Sequence, residues 1–163
     1  KGTIKKIMKK VKIYIASDHA GFDAKQDIIK ALKNKYNFVD LGCHSSQSVD
    51  YPLYAFKLCK AVLKDKVNGI LVCGSGFGMA ISACKVKGIY CTSIVDPKMA
   101  SLAKEHNNCN VIALSGRWVT LSNNIKIINN FMNAKFDPKD QKNVRHLQRL
   151  KQIKDDENKH IKN

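Results

Sequence analysis

The chain alternates short apolar runs with longer amphipathic runs, and this alternation constrains its fold more than any other feature. The apolar runs have the character of strands in a parallel sheet that is covered on both faces. They span residues 11–16, 38–41, 69–73, 89–95 and 110–114. Helical patterns lie at residues 24–34, 53–63, 79–85, 97–106, 123–134 and 141–156. The order predicts an α/β fold, a three-layer α/β/α sandwich with a doubly wound, Rossmann-like parallel sheet of about five strands.

The chain has the length of one domain and shows neither an internal repeat nor a linker. We expect a basic N-terminal extension at residues 1–10, a single domain at residues 11–157 and a polar tail at residues 158–163. The longest stretch without a charged residue, residues 67–84, contains Gly74, Gly76 and Gly78. Glycines at alternate positions favour a loop there over a membrane-spanning helix.

Charge and cysteine content limit the classes of partner that we expect for the chain. The formal net charge of +16 is concentrated at the ends, since residues 1–12 carry six lysines and no acidic residue. Charged ends are usually solvated, so we expect no nucleic-acid partner and no membrane partner. The six cysteines form no Cys-x-x-Cys pair, and we therefore predict no metal site. Free thiols in turn indicate a reducing, cytoplasmic location.

Two loops with polar residues follow the first and third predicted strands, at residues 17–22 and 73–78. Ligands of doubly wound sheets bind beyond the carboxyl ends of the strands, where the strand order reverses. If the strand order is 2-1-3, the two loops face each other across a crevice. This edge of the sheet is therefore the predicted functional site.

The second of these loops begins with Cys73 and contains three glycines. Backbone N–H groups in such a loop, and the helix that follows it, favour an oxyanion or a phosphate. They would also favour a thiolate at Cys73, which can act as a base or as a nucleophile. Ser75 can hydrogen-bond the thiol or a substrate oxygen. The alternatives are a tight turn without a ligand and an inert core cysteine.

A dinucleotide site is a competing interpretation of the same loop. Asp96 lies 22 residues after Gly74, near the spacing of a ribose-binding acid. However, Met79 stands where the Gly-x-Gly-x-x-Gly pattern requires Gly or Ala, and the lysine of a P-loop is absent. We therefore predict no cofactor.

Further polar residues could complete a site for an anionic substrate. Arg145 and Arg149 are four residues apart on the last predicted helix, so they lie on one face of it. Together with Arg117, they could clamp a phosphate through bidentate contacts. His106 ends a predicted helix and could transfer a proton near neutral pH.

Six short motifs occur in an order that resembles the type B ribose-5-phosphate isomerases and the related galactose-6-phosphate isomerase subunits. The motifs are Ser-Asp-His-Ala-Gly-Phe (17–22), Val-Asp-Tyr-Pro (49–52), Cys-Gly-Ser-Gly-Phe-Gly-Met (73–79), Glu-His-Asn (105–107), Gly-Arg (116–117) and Arg-His (145–146). The resemblance covers residues 11–149, most of the chain. It implies an aldose–ketose isomerase of pentose phosphate metabolism that interconverts ribose 5-phosphate and ribulose 5-phosphate without a metal or cofactor.

The resemblance also implies roles for individual residues. His106 would open the sugar ring, Asp18 would hold the sugar hydroxyls, and Cys73 would move the proton from C2 to C1 through a cis-enediolate. Ser75 would help the loop amides to hold the developing oxyanion. The implied substrate-binding residues are His19, Tyr51, Gly74, Gly76, Phe77, Gly78, Asn107, Arg117, Arg145 and Arg149. In this family two subunits share each active site, so the resemblance implies a homodimer, which could pair into a tetramer.

Some positions depart from the family pattern and leave alternatives open. Asn143 and Val144 stand where many relatives have two glycines before the Arg-His motif, and Pro97-Lys98-Met99 lacks an aromatic residue that is common there. Such differences could shift the preference to a six-carbon sugar phosphate, such as allose or galactose 6-phosphate. A nucleotide- or polyanion-binding module that lost catalysis, and a hydrolase with a nucleophilic cysteine, are alternatives from other classes.

Overall fold

The computed structural model describes residues 9–160, and these residues form one five-stranded sheet. The strand order is β2-β1-β3-β5-β4, and every neighbouring pair is parallel. The strands are β1 (Val11–Ser17), β2 (Tyr36–Asp40), β3 (Asn68–Cys73), β4 (Cys91–Ser93) and β5 (Val111–Ser115). The predicted doubly wound parallel sheet is confirmed, and the first three strands follow the order 2-1-3 with β2 at one edge.

The described residues contain six α-helices, most of which pack on one of the two faces of the sheet. They are α1 (Phe22–Leu32), α2 (Tyr51–Asp65), α3 (Phe77–Cys84), α4 (Ala100–Glu105), α5 (Leu121–Asn133) and α6 (Val144–His160). On one face, Ile28 of α1 and Phe131 of α5 are buried against strand residues such as Ile13. On the other face, Leu58 of α2 and Met79 of α3 are buried. The molecule is therefore the predicted three-layer α/β/α sandwich.

The structure shifts several of the predicted element bounds. The strand predicted at residues 89–95 is much shorter, because the chain turns after Ser93 toward Pro97, whose fixed φ starts a short 3-10 turn at Pro97–Met99. The helix predicted at residues 97–106 is accordingly this turn followed by α4. Helix α6 continues to His160, into the predicted polar tail. Residues 1–8 of the predicted extension and 161–163 of the tail lie outside the described residues. No helix within residues 9–160 is both long and apolar enough to span a membrane.

Lys25 of α1 is a fully buried charged residue that the sequence analysis did not single out. Its Nζ donates to both carboxylate oxygens of Asp40, at 2.6 and 2.7 Å, and to the carbonyl oxygen of Cys43 at 2.7 Å. The Asp40 carboxylate also accepts from the N–H of Gly42, whose carbonyl accepts from Ser17 N–H at 2.7 Å. Lys25 thereby fixes the loop after β2 against the end of β1.

We expect Lys25→Met to lower the free energy of unfolding by about 3 kcal/mol, because it leaves the Asp40 carboxylate without its buried partner. Urea unfolding of the wild-type and variant proteins measures the loss. The matched control is Lys25→Met combined with Asp40→Asn, which removes both charges and should recover part of the stability. If the two residues were not paired, Asp40→Asn would destabilise the Lys25→Met protein as much as it destabilises the wild-type protein. That result would contradict the pairing.

Candidate active site

The ends of three neighbouring strands bring the predicted functional loops together. Ser17 at the end of β1 lies opposite Val72 of β3, and Cys73 at the end of β3 lies opposite Ser115 at the end of β5. Backbone hydrogen bonds continue beyond the strands, since Gly116 N–H donates to the Cys73 carbonyl at 2.8 Å. The loops after β1, β3 and β5 therefore form one continuous edge of the sheet, which we call the carboxyl edge.

Cys73 is buried at this edge, with 3% of its surface exposed. Its Sγ accepts a hydrogen bond from the backbone N–H of Gly76 at 3.0 Å. The next backbone N–H, that of Phe77, donates to the Ser75 hydroxyl at 3.2 Å. The glycine loop therefore turns its N–H groups toward the thiol and the hydroxyl at the start of α3, an arrangement that favours negative charge.

Glycine is required at the turn of this loop. Gly76 has a φ of +86°, which residues with a side chain rarely adopt. A Cβ at Gly76 would lie 2.8 Å from the Ser93 hydroxyl, and a Cβ at Gly78 would lie 2.7 Å from Cζ of Tyr51. The Tyr51 ring at the start of α2 thus packs directly on the loop. Gly74 is covered by the Arg117 side chain, whose Cδ lies 3.3 Å from the position of an added Cβ.

The loop after β1 places Asp18 and His19 beside these groups. The Asp18 backbone N–H donates to the Val72 carbonyl at 3.2 Å, and its buried carboxylate accepts from Gly21 N–H at 2.9 Å. Nδ1 of His19 accepts from Val49 N–H at 3.2 Å, so the proton of the neutral ring is on Nε2. The structure therefore brings Asp18, His19, Tyr51, Cys73, Gly74, Ser75, Gly76, Phe77, Gly78 and Arg117 to the carboxyl edge.

The other predicted site residues lie elsewhere. His106 and Asn107 follow α4 and precede β5, whose first residue, Val111, pairs with Gly69 near the start of β3. They are thus at the opposite, amino edge of the sheet. The four residue steps along β5 alone separate the two edges by about 13 Å, at roughly 3.3 Å per residue. Within one chain His106 and Cys73 are not neighbours.

A second group of polar side chains, which we call the amino-edge cluster, surrounds His106. The cluster is formed by His106, Asn107, Arg145, His146 and Arg149. The His106 ring stacks on that of His146, with centroids 4.4 Å apart and planes 13° from parallel. Both rings and Arg145 line a cavity of about 470 Å³. Arg145 and Arg149 are exposed on α6, where their spacing of four residues puts them on one face of the helix.

The contribution of His146 was not predicted from the sequence. The residue was visible only as part of the Arg-His motif, and nothing in the sequence indicated that its ring would be buried against His106. It also gave no signal for Ser93, whose hydroxyl is buried beside Gly76 without a hydrogen-bond partner among the described residues.

Three of the other cysteines are core thiols that lie outside the carboxyl edge. Burial raises the pKa of Cys59 to about 12 and that of Cys109 to about 11, and it also raises the pKa of Cys91. These groups therefore stay protonated thiols at neutral pH. Within residues 9–160, no three His, Cys, Asp or Glu side chains gather in a way that could hold a metal ion.

The chain is similar to known proteins over most of its length. The family model described as Ribose/Galactose Isomerase matches residues 13–153. The probable ribose-5-phosphate isomerase B of Mycoplasma genitalium is 44% identical over 145 residues, which cover 86% of this chain and 92% of that protein.

Solved structures give the same result. A ribose-5-phosphate isomerase B from Clostridium thermocellum has a TM-score of 0.86 and 36% identity, with 93% of this chain and 100% of that one covered. The Mycoplasma genitalium enzyme, solved with bound ribulose-5-phosphate, has a TM-score of 0.82 and 41% identity, with 91% and 97% covered. The chain therefore belongs to the ribose/galactose isomerase family.

Proposed function

We propose that the protein interconverts D-ribose 5-phosphate and D-ribulose 5-phosphate, with Cys73 as the base. The observation that carries the proposal is the position of the Cys73 thiol, buried at the end of β3 and hydrogen-bonded by Gly76 N–H. A relative at 41% identity holds ribulose-5-phosphate in its crystal structure. A sugar phosphate also suits the hydrogen-bond donors at the carboxyl edge, which are the N–H groups of the glycine loop and the Arg117 side chain.

The reaction begins with the cyclic sugar. His106 moves a proton from the O1 hydroxyl to the ring oxygen as the bond between C1 and the ring oxygen breaks, which leaves an aldehyde at C1. Asp18 binds the sugar hydroxyls through its buried carboxylate. An imidazole suits this step because its ring nitrogens can both accept and donate a proton.

Isomerisation follows in the open-chain sugar. The Cys73 thiolate takes the proton from C2 and returns it to C1, while the O2 proton passes to O1, so the aldehyde becomes a hydroxymethyl group and C2 becomes a ketone. The intermediate cis-enediolate carries negative charge, which the amides of residues 74–78 and the Ser75 hydroxyl stabilise. Loss of one such donor typically costs about 100-fold or more in rate.

Phosphate and sugar contacts complete the site. His19 and Arg117 bind the phosphate from the carboxyl edge, where Arg117 covers Gly74, and Tyr51 borders the sugar. Arg145 and Arg149 add bidentate contacts to the phosphate, and Asn107 contacts a sugar oxygen.

The position of the amino-edge cluster favours a homodimer as the working form. His106, Asn107, Arg145 and Arg149 lie at the edge opposite to Cys73, so they cannot reach a substrate at the carboxyl edge of their own chain. We propose that they complete the site of a second copy, and that such dimers can pair into tetramers. The free cysteines, of which Cys84 is exposed, favour a reducing cytoplasmic location for the enzyme.

A direct assay follows ribulose 5-phosphate as it appears from ribose 5-phosphate, with and without EDTA. We expect EDTA-resistant turnover and a kcat/KM for ribose 5-phosphate about tenfold or more above that for allose 6-phosphate, because the pocket must accommodate an additional carbon in the larger sugar. Folded wild-type protein that turns over allose 6-phosphate but not ribose 5-phosphate would move the assignment to a six-carbon substrate.

A further inference from the structure

We infer that His146 is a positioning residue that holds both the ring-opening imidazole of His106 and the two phosphate-binding arginines of α6. The inference rests on the proposed function and deepens it, because it assigns a role to a residue that is not itself one of the proposed substrate contacts. Three features of the amino-edge cluster carry it.

The first feature is the contact between the two imidazoles. Their near-parallel stack, at 4.4 Å and 13°, fixes the plane of the His106 ring. His106 itself is only partly buried and follows the last residue of the short helix α4. A ring at the end of a six-residue helix has few other constraints, so the His146 ring beneath it determines where its nitrogen atoms point.

The second feature is the way in which α6 joins the rest of the molecule. Among the residues of α6, all of which the structure describes, His146 alone is buried, with 8% of its surface exposed. Its neighbour Arg145 and the nearby Arg149 are exposed. The next polar tether is far along the helix, where the Glu157 carboxylate accepts from Gly88 N–H at 3.1 Å. His146 therefore anchors the turn of α6 that carries both arginines.

The third feature is charge. Burial lowers the pKa of His146, and the neighbouring His106, Arg145 and Arg149 lower it further. An uncharged His146 can stack on His106 without repelling it or the arginines. The other charged groups that line the shared cavity are of both signs: Glu105, Lys135, Asp137, Asp140 and Lys142.

The test isolates ring opening from isomerisation. In a Cys73→Ala background the sugar cannot be isomerised, but His106 still opens the ring, so the enzyme accelerates exchange between the α and β anomers of ribose 5-phosphate. Magnetisation-exchange NMR measures this rate. The matched pair of variants is His146→Phe, which keeps an aromatic ring, and His146→Leu, which fills similar space without one.

We expect His146→Leu to slow enzyme-catalysed anomer exchange about tenfold or more, because misplacement of a catalytic group by about 1 Å can cost 100-fold. His146→Phe should stay within about threefold of the parent, since an aromatic ring can still stack. With Cys73 intact, His146→Leu should also raise the KM for ribose 5-phosphate more than His146→Phe does. The control is Gln148→Ala, an exposed change on the same helix, which should alter neither quantity.

Equal anomer exchange and equal KM in folded His146→Leu and His146→Phe proteins would overturn the inference, since a purely space-filling role predicts that result. Melting temperatures of both variants show that they are folded. Failure of the proposed function is a different result: wild-type protein would then form no ribulose 5-phosphate. Normal turnover by the wild-type enzyme, together with unchanged exchange in His146→Leu, would overturn the inference alone.

Discussion

Cys73→Ala is expected to lower kcat for ribose 5-phosphate about 1,000-fold, because a positioned general base typically contributes 100- to 10,000-fold. The thiol belongs to the first residue of the glycine loop, and Gly76 N–H donates a hydrogen bond to its Sγ. Removal of this one atom leaves the loop amides and the phosphate ligands in place. The KM should therefore change little. Steady-state kinetics with a coupled assay for ribulose 5-phosphate measures both constants.

The control for this prediction is a buried cysteine that has no place in the site. Cys59 of α2 packs in the core, and burial keeps its pKa at about 12. Cys59→Ala removes the same sulfur atom and should leave kcat within about threefold of wild type, since its effect is confined to packing. An equal loss in both variants would show that the effect of Cys73 is structural.

Mixing two inactive variants is expected to restore activity to about one quarter of the wild-type level, if the sites are shared within a symmetric dimer. Cys73→Ala lacks the base at the carboxyl edge, and His106→Ala lacks the ring-opening imidazole at the amino edge. In a mixed dimer one site is built from the intact Cys73 of one copy and the intact His106 of the other. The second site of that dimer lacks both groups. Random exchange makes half of the dimers mixed, so one quarter of all sites are complete.

The experiment requires that subunits exchange, which brief incubation in mild denaturant followed by dilution provides. The control mixes Cys73→Ala with the double variant Cys73→Ala/His106→Ala, a pair that cannot form a complete site. Activity that stays at the level of this control, in a mixture shown to contain mixed dimers, would contradict a shared site.

The sequence was sufficient to predict the central part of the fold. Apolar runs at β1, β3 and β5 are continuous because helices cover both faces of these strands, and Cys73 falls at the end of its run. The edge strand β4 was predicted at twice its length or more, because flanking apolar residues such as Ile89 and Ile94 are buried although they lie outside the strand. Hydrophobicity indicates burial of a run but not how far its hydrogen bonds continue.

The composition of the site was harder to predict than the fold. Residues in short motifs, such as Asp18 and Ser75, could be placed because the end of a parallel strand determines where the next loop lies. The burial of Lys25 and the stack of His146 on His106 join segments distant in the chain. A lysine or histidine is usually exposed or only partly buried. The sequence around Lys25 and His146 therefore did not distinguish them from surface residues of the same type.

Transfer of a proton between C2 and C1 of ribose 5-phosphate by Cys73 is tested most directly by NMR of the reaction in D2O. The wild-type protein, with EDTA present, should form ribulose 5-phosphate that carries solvent deuterium at C1 in at least part of the product, because the Cys73 thiol exchanges its proton with water. Cys73→Ser should form little ketose and incorporate little deuterium. Two results together would contradict this role of Cys73. The wild-type protein would form ketose rapidly with the original C2 hydrogen fully retained at C1, and Cys73→Ser would form it at the same rate.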